Sequence, residues 1–173
     1  KLRKIVEYGI EALKAVWHRG AVDADGKTGD GAGIHVEIPY DFFSEKIETK
    51  GHKHDNSEIC VGMIFLPRDN FSVQEDCKTI VEKELTISNF KIYGWRQVPI
   101  NTKVLGVKAN SNRPEITQIL FKHNDKKLVD KDLERKLYEI RRKIENQIIK
   151  SNIEGFYICS LSSKSIIYKG MFL

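Results

Sequence analysis

The sequence has 173 residues, of which 40% are hydrophobic and 31% are charged; this balance excludes a disordered or fibrous chain and fits one compact globular domain. Its 29 lysines and arginines exceed its 24 aspartates and glutamates by only five, so the charge by itself indicates no nucleic-acid partner. The three cysteines are far apart and include no CxxC pair, which supports neither a disulfide framework nor a zinc or other metal site and favours a reducing cytosol.

The first predicted helix and the first predicted strand flank a glycine-rich stretch. Apolar residues recur at spacings of three and four over residues 2 to 17, which predicts an amphipathic helix. Ile34, Val36 and Ile38 alternate with polar residues up to Pro39, which predicts a half-buried strand. The N-terminal segment is periodic, unlike a signal peptide, and no apolar run approaches the ~18 residues that span a bilayer.

The middle of the sequence is predicted to alternate helices with strands. Residues 41–50 can form a short helix, and residues 59–66 form a buried strand that Pro67 ends. Residues 70–89 are predicted to form a helix with Ser72 as its N-cap. The apolar face of this helix consists of Val73, Cys77, Ile80, Val81 and Leu85.

The clearest helix lies in the second half of the sequence. A strand at residues 90–98 and a strand at residues 115–122 enclose an irregular segment at residues 99–114. Residues 130–150 then carry one apolar stripe and a charged opposite face, which predicts a long amphipathic helix. The stripe consists of Leu133, Leu137, Ile140, Ile144 and Ile148.

The C-terminal residues are predicted to form a hairpin. Residues 155–163 and 165–173 have strand character and are joined by a tight turn at residues 162–164. Without regular strand–helix–strand alternation, this order predicts an α+β domain with an antiparallel sheet. Since the chain begins without Met, inside a helical pattern, and stops on Leu173 without a polar tail, we expect a piece of a longer protein.

The glycine-rich stretch HRGAVDADGKTGDGAGIHVEIP occupies residues 18–39. A loop that binds phosphate follows a strand and precedes a helix, so that backbone N–H groups and the helix dipole converge on the anion. Here the glycines follow a helix and precede a strand, with a G-x-G-x-G spacing. The sequence therefore favours a tight connection that needs positive φ angles or close backbone approach.

The remaining polar candidates are better explained by packing or solvation. His52 and His54 are two possible ligands without a third, and Trp95 beside Arg96 fits a residue that packs at a strand end. The hydroxyls of residues 160–163 have no paired base nearby, so a nucleophile there is not expected. From the residues alone, the sequence predicts an α+β domain without an assigned chemistry.

Five segments together carry a resemblance to a known family. The stretch HRGAVDADGKTGDGAGIHVEIPYDFF closely resembles the start of the glutamine amidotransferase domain of the glutamate synthase large subunit. The segments VGMIFLPRD, GWRQVPINTKVLG, LERKLYEIRRKIE and FYICSLSSKSIIYKGM follow in the order and approximate spacing of that family. The resemblance covers essentially residues 1–173, which we expect to be part of a single type-2 amidotransferase domain, truncated at both ends.

The resemblance implies an N-terminal-nucleophile hydrolase fold, in which two antiparallel sheets lie between layers of helices. It also implies a cytoplasmic enzyme domain that hydrolyses glutamine to glutamate and ammonia. In the family, the ammonia reaches a flavin domain and reacts with 2-oxoglutarate to form a second glutamate. FMN, an iron–sulfur cluster, FAD and NADPH belong to other parts of the family's enzyme, as do the remaining large-subunit domains and the small subunit; no cofactor maps to this segment.

The family's nucleophile, an N-terminal cysteine, is absent from this sequence. Position 1 is Lys1, and none of the three cysteines of the sequence matches the nucleophile. The resemblance carries over only the Arg-Gly step, here Arg19 and Gly20, which lies against the nucleophile and supports it. Asp30 and Gly31 lie in the adjoining family loop and receive no chemical role. No catalytic residue of the family is therefore expected within the chain, and the substrate-binding residues stay unassigned.

Two other interpretations are kept open. A non-catalytic remnant or regulatory module could retain the amidotransferase fold without its chemistry. A nucleic-acid-binding domain, suggested by the net charge and by Trp95 and Arg96, is the weakest interpretation, because basic residues are interleaved with acidic ones. We expect no membrane partner.

Overall fold

A computed structural model describes residues 2–53, 59–125 and 127–171 of the chain. It divides into two compact units: one holds the residues up to Val36, Pro99–Arg113 and those from Ile167 onward, and the other holds Glu37–Val98 and Pro114–Ile166. The helices and strands, in chain order, are α1 (Leu2–Ala15), β1 (Ala32–Glu37), α2 (Tyr40–Glu48), β2 (Cys60–Leu66), α3 (Phe71–Ile87), β3 (Phe90–Gln97), α4 (Val107–Ser111), β4 (Glu115–His123), α5 (Asp130–Lys150), β5 (Tyr157–Ser162) and β6 (Ser165–Gly170).

The larger unit is built on a four-stranded antiparallel sheet with the order β3-β4-β2-β5. Helices α3 and α5 pack against each other, α3 also packs on β3, and α5 on β5. Side chains alternate between the two faces of a strand, so Cys60 and Ile64 of β2 contact the helices whereas Val61 and Met63 point to the opposite face. All four are buried, so both faces of β2 are covered.

The long helix has the predicted bounds, and all five residues of its predicted stripe are buried. Those five residues belong to one hydrophobic cluster that also contains Cys77, Val81 and Leu85 of α3. The predicted apolar faces of both helices are therefore confirmed, and each helix is stabilised chiefly by burying that face. The predicted N-cap of α3 is wrong: Asn70, not Ser72, accepts the hydrogen bond from Val73 N at 3.1 Å.

The predicted C-terminal hairpin is also wrong. Strand β5 pairs with β2 in the four-stranded sheet, whereas β6 pairs with β1 in a separate two-stranded sheet. Gly31 lies against Gly170 O and Gly33 against Tyr168 O, so β1 and β6 run antiparallel. The residues predicted to form a tight turn instead carry the chain from one sheet to the other.

The smaller unit contains α1, most of β1 and β6, and the segment predicted to be irregular. That segment holds a 3-10 turn at Thr102–Val104 and the short helix α4. Helix α1 lies against β1 where Gly9 faces Ile34, but much of its predicted apolar stripe is exposed. The observed architecture is α+β with antiparallel sheets, as predicted. Among the described residues, no helix is both long and apolar enough to cross a membrane.

Candidate functional site

The glycine-rich loop is an ordered, hairpin-like connection between α1 and β1. Asp30 N donates to Ala21 O at 3.2 Å, Val22 and Gly29 form an antiparallel bridge, and Asp23 N donates to Thr28 O at 2.9 Å. These three steps close residues 21–30 into a ladder. The bonds fix the backbone in a region whose glycine content would otherwise leave it free.

Several glycines of the loop have the backbone roles that the sequence predicts. Gly26 and Gly31 have φ angles of +68° and +125°, in the left-handed region that favours glycine. A Cβ at Gly33 would lie 3.0 Å from Tyr168 O on the paired strand. The interpretation as a tight connection is confirmed, and the loop lacks the strand-to-helix geometry of a phosphate site.

The tip of the loop is fastened to the first turn of α4 by a group of contacts that we call the clasp. Thr28 Oγ1 donates to Asp25 Oδ2 at 2.6 Å and accepts from Ala109 N at 3.2 Å. Asp25 also accepts from Thr28 N at 2.7 Å and, more weakly, from Lys108 N at 3.4 Å. Its members are Asp23, Asp25, Thr28, Gly106, Lys108 and Ala109.

The clasp leaves no space for a side chain at position 106. A Cβ there would lie 2.3 Å from Asp25 Oδ2, 2.3 Å from Thr28 Oγ1 and 2.6 Å from Thr28 N. Glycine is therefore required by close approach, although its backbone is in an ordinary extended conformation. Thr28, which forms two of these close contacts, is 3% exposed, so its hydroxyl is shielded from water.

The charges of the clasp are stabilised by their hydrogen bonds. The Thr28 hydroxyl and the amides of Thr28 and Lys27 hold the pKa of Asp25 well below its usual range. A bond from Lys108 Nζ, at 2.5 Å, lowers the pKa of Asp23, and the same contact raises the pKa of Lys108. Both aspartates are thus ionised at neutral pH and act purely as acceptors.

The two residues carried over from the family lie directly before this ladder in the chain. Arg19 is the last residue of a 3-10 turn at Trp17–Arg19, and Gly20 N donates to Trp17 O at 3.0 Å. A Cβ at Gly20 would lie 3.2 Å from Asp30 Oδ1. Arg19 is exposed, and its guanidinium forms no ion pair with any residue in the ranges that the structure describes.

A family model described as glutamine amidotransferases class-II matches residues 1–173. The chain belongs to the class II glutamine amidotransferases. Its α+β architecture is the N-terminal-nucleophile hydrolase type of this family.

Relatives of this amidotransferase chain include glutamate synthases. It is 57% identical, over 99% of its length, to the glutamate synthase [NADPH] large chain of Azospirillum brasilense. It is 41% identical, over 97% of its length, to the ferredoxin-dependent glutamate synthase of Pyropia yezoensis, and 39% identical, over 96%, to ferredoxin-dependent glutamate synthase 2 of Synechocystis. The chain spans only 10–11% of the length of these relatives.

The three cysteines of this amidotransferase chain are structural. Cys60, Cys77 and Cys159 are 0%, 0% and 3% exposed and lie in β2, α3 and β5. Burial raises the pKa of the Cys77 thiol to about 11, with a smaller effect from the charge of Asp76. A nucleophilic cysteine needs access and a thiolate, so none of the three has the environment of a nucleophile.

Trp95 and Arg96 are packed, as the sequence interpretation favoured. Trp95 Nε1 donates to Glu82 Oε1 at 2.6 Å. The Arg96 guanidinium lies 5.2 Å from the Phe42 ring centre and donates to Gln118, which is fully buried. Both side chains are therefore engaged within the unit rather than presented to a polyanion.

The histidines within the described residues show no arrangement of metal ligands. The His52 ring lies 5.6 Å from the Tyr93 ring, and His54 lies outside the described residues. Across residues 2–53, 59–125 and 127–171, no three or more histidines, cysteines, aspartates or glutamates are grouped closely enough to hold a metal ion.

The serines at the β5–β6 crossover reveal a residue that the sequence analysis missed. Glu134 accepts hydrogen bonds from Ser162 Oγ at 2.9 Å, Ser163 N at 2.7 Å and Ser163 Oγ at 2.8 Å. Both serines are buried, so these hydroxyls hold a carboxylate and are not presented to a substrate. Glu134 lies one position from the buried stripe of α5, and no local motif marks it.

Proposed function

We propose that the chain is part of a glutaminase domain of a glutamate synthase, which hydrolyses glutamine to glutamate and ammonia. The family match over residues 1–173 and the similarity to glutamate synthases support this function. The observation that carries it to the residues is the Arg-Gly step: Arg19 is exposed, and the adjoining Gly20 directly precedes the hydrogen-bonded ladder of residues 21–30.

In the proposed reaction, the nucleophile is an N-terminal cysteine outside residues 1–173. Its thiolate attacks the side-chain carbonyl of glutamine, ammonia leaves, and water hydrolyses the resulting thioester to glutamate. The free α-amino group of that cysteine, with a pKa of ~8, can take up and return the thiol proton. Arg19 and Gly20 would lie behind this cysteine and hold it in position, and we assign no reacting group to the residues that the structure describes.

The wider reaction is proposed for the longer protein only. There, ammonia would react with 2-oxoglutarate, and a bound flavin would supply the reduction that yields the second glutamate. The described residues do not fit an iron–sulfur cluster, since the cysteines are buried in three separate elements and no metal-binding group of side chains is present among those residues. We therefore assign FMN, the iron–sulfur cluster, FAD and NADPH to other domains and the small subunit. The three free, buried cysteines fit a reducing compartment, which supports the cytoplasmic location that we propose for the enzyme.

The first test is glutamine hydrolysis by the longest polypeptide that the gene encodes. We expect ammonia release that stops when iodoacetamide labels an N-terminal cysteine, while Cys60, Cys77 and Cys159 stay unlabelled. No ammonia release from an intact polypeptide with such a cysteine would instead support a non-catalytic remnant or regulatory module. Inactivation that follows the label on one of the three buried cysteines would contradict the proposed nucleophile.

The second test concerns the Arg-Gly step. In the same polypeptide, Arg19→Gln is expected to lower kcat for glutamine hydrolysis by about 10-fold or more, because a small displacement of reacting groups is costly. Arg3→Gln is the matched control: Arg3 is an exposed arginine that pairs with Glu7 in α1, at 3.1 Å. Equal activity of the Arg19 and Arg3 variants would remove Arg19 from the site.

A further inference from the structure

The clasp joins two parts of the chain that are far apart in sequence. Thr28 and Ala109 are separated by 81 residues, and Asp25 and Lys108 by 83. Nothing in the Arg-Gly step itself requires the segment at residues 99–113. The clasp therefore indicates that α4 contributes to the conformation of the loop.

Helix α4 is too short to be stable by itself and lacks a side-chain cap of its own. It has five residues, and its N-cap position is Gly106, which has no side chain to accept from the first-turn amides. Asp25 and Thr28 supply these acceptors from the loop. The loop and α4 thus stabilise each other: the loop caps the first turn of the helix, and the helix holds the tip of the loop.

The ladder connects α4 to the Arg-Gly step through a series of hydrogen bonds. Thr28 is bonded to α4 by its hydroxyl and to Asp23 N by its carbonyl. The Val22–Gly29 bridge and the bond from Asp30 N to Ala21 O then lead to Gly20, which faces the Asp30 side chain. Displacement of Thr28 would therefore move the ladder, which ends at the Ala21–Asp30 pair beside Gly20.

We propose that Asp25 and Thr28 are positioning residues for glutamine hydrolysis: they hold Gly20 and the Arg19 backbone in place by fastening the loop to α4 at Gly106. This inference rests on the proposed function, since it needs Arg19 and Gly20 to support the nucleophile. Neither residue touches the reacting atoms, and both act through the backbone of the ladder.

The test uses substitutions on both sides of the clasp in the full-length polypeptide. Thr28→Val removes the hydroxyl with little change of shape, and Gly106→Ala places a methyl group where the two side chains meet. We expect each to lower kcat for glutamine hydrolysis by about 10-fold or more, with KM changed by less than about threefold. Amide hydrogen exchange of residues 20–30 should become faster in both variants.

Two variants serve as matched controls. Thr28→Ser keeps the hydroxyl and should restore both kcat and slow exchange. Asn101→Ala removes a cap from the same 99–113 segment, where Asn101 accepts from Lys103 N at 3.2 Å, without touching the loop, and should leave kcat within about twofold of the parent. If Thr28→Val does not accumulate as folded protein, Asp25→Asn, which keeps the shape and loses acceptor capacity, carries the same test.

The outcomes separate this inference from the proposed function. If Arg19→Gln lowers kcat but Thr28→Val leaves it within about twofold while residues 20–30 exchange faster, the positioning role is wrong and the proposed function stands. Unchanged exchange in both Thr28→Val and Gly106→Ala would show that the clasp does not hold the loop, which also overturns the inference. If Arg19→Gln has full activity, the assignment of the Arg-Gly step fails first.

Discussion

Glu134 is expected to hold the crossover between the two sheets, and Glu134→Ala tests this directly. The carboxylate accepts one bond from Ser162 and two from Ser163, at 2.7–2.9 Å. Ser163 is 0% exposed, so its amide and hydroxyl cannot turn to water without local opening. In the wild type, the adjacent Lys164 O accepts from Ile38 N at 3.0 Å.

The expected magnitude follows from the groups left without an acceptor. A buried donor that loses its partner costs about 1–3 kcal/mol, and three donors are affected. Glu134 itself is only half-buried, so water can replace part of the carboxylate, and we expect a loss of about 2 kcal/mol in the local free energy of opening. Since about 1.4 kcal/mol corresponds to a factor of ten, amide exchange at the crossover should become about 30-fold faster.

Hydrogen exchange of the full-length protein, followed by mass spectrometry, measures this effect. The reporter is the Ile38 amide, which is remote from Glu134 in sequence and is bonded to Lys164 O, so that opening of the crossover exposes it to exchange. Glu134→Gln keeps one acceptor oxygen and should show a smaller effect, and Glu139→Ala removes an exposed carboxylate from the same helix and should show none. Unchanged exchange at Ile38 in Glu134→Ala would refute the reasoning.

Two further predictions follow from α3. Asn70→Ala should lower the free energy of unfolding by about 1 kcal/mol, because it removes the acceptor for Val73 N, whereas Ser72→Ala should change it little; pulse proteolysis of the two variants compares them. The pKa of the Cys77 thiol is raised to about 11, so its contribution to stability is complete below the ordinary thiol pKa of about 8.5 and is lost as the pH rises towards 11. Iodoacetamide should accordingly leave Cys77 unlabelled at about pH 8 except in denaturant, and native-state labelling at that pH would contradict its burial.

The sequence predicts most elements because their signals are local and repeated. Helix α5 presents five buried residues at helical spacing, so its bounds and its core face follow from periodicity alone. The cap of α3 is a different case, since Asn70 and Ser72 are both good capping residues and lie two positions apart. The extended backbone of Asn70, with φ of −132°, decides between them. This backbone angle cannot be predicted from the sequence.

Pairing between strands that are distant in sequence explains why the predicted C-terminal hairpin was wrong. Residues 162–164 look like a turn, but the partners of β5 and β6 are strands about a hundred or more residues earlier in the chain. A local pattern cannot choose between a hairpin and a crossover when both flanking strands have better partners elsewhere. The clasp could not be predicted from the sequence for the same reason, because its two halves lie about eighty residues apart. One signal was present: Gly106 precedes a helix and has no side chain to cap it, so the cap had to come from another segment.

The candidate site shows how hydrogen bonds can connect a glycine-rich segment along its length. Glycines favour the unfolded chain, so their number alone argues for a mobile connection. Here positive φ angles at Gly26 and Gly31 are used by the turns of a bonded ladder, and ionised Asp25 binds the tip of that ladder to α4. The sequence could identify Arg19 and Gly20 only by resemblance, because neither is distinguished by pattern or by burial. Their proposed role requires that the adjoining backbone is held in place. In the proposed arrangement residues 106–109 hold it through Asp25 and Thr28, and the family resemblance assigned no role to these residues.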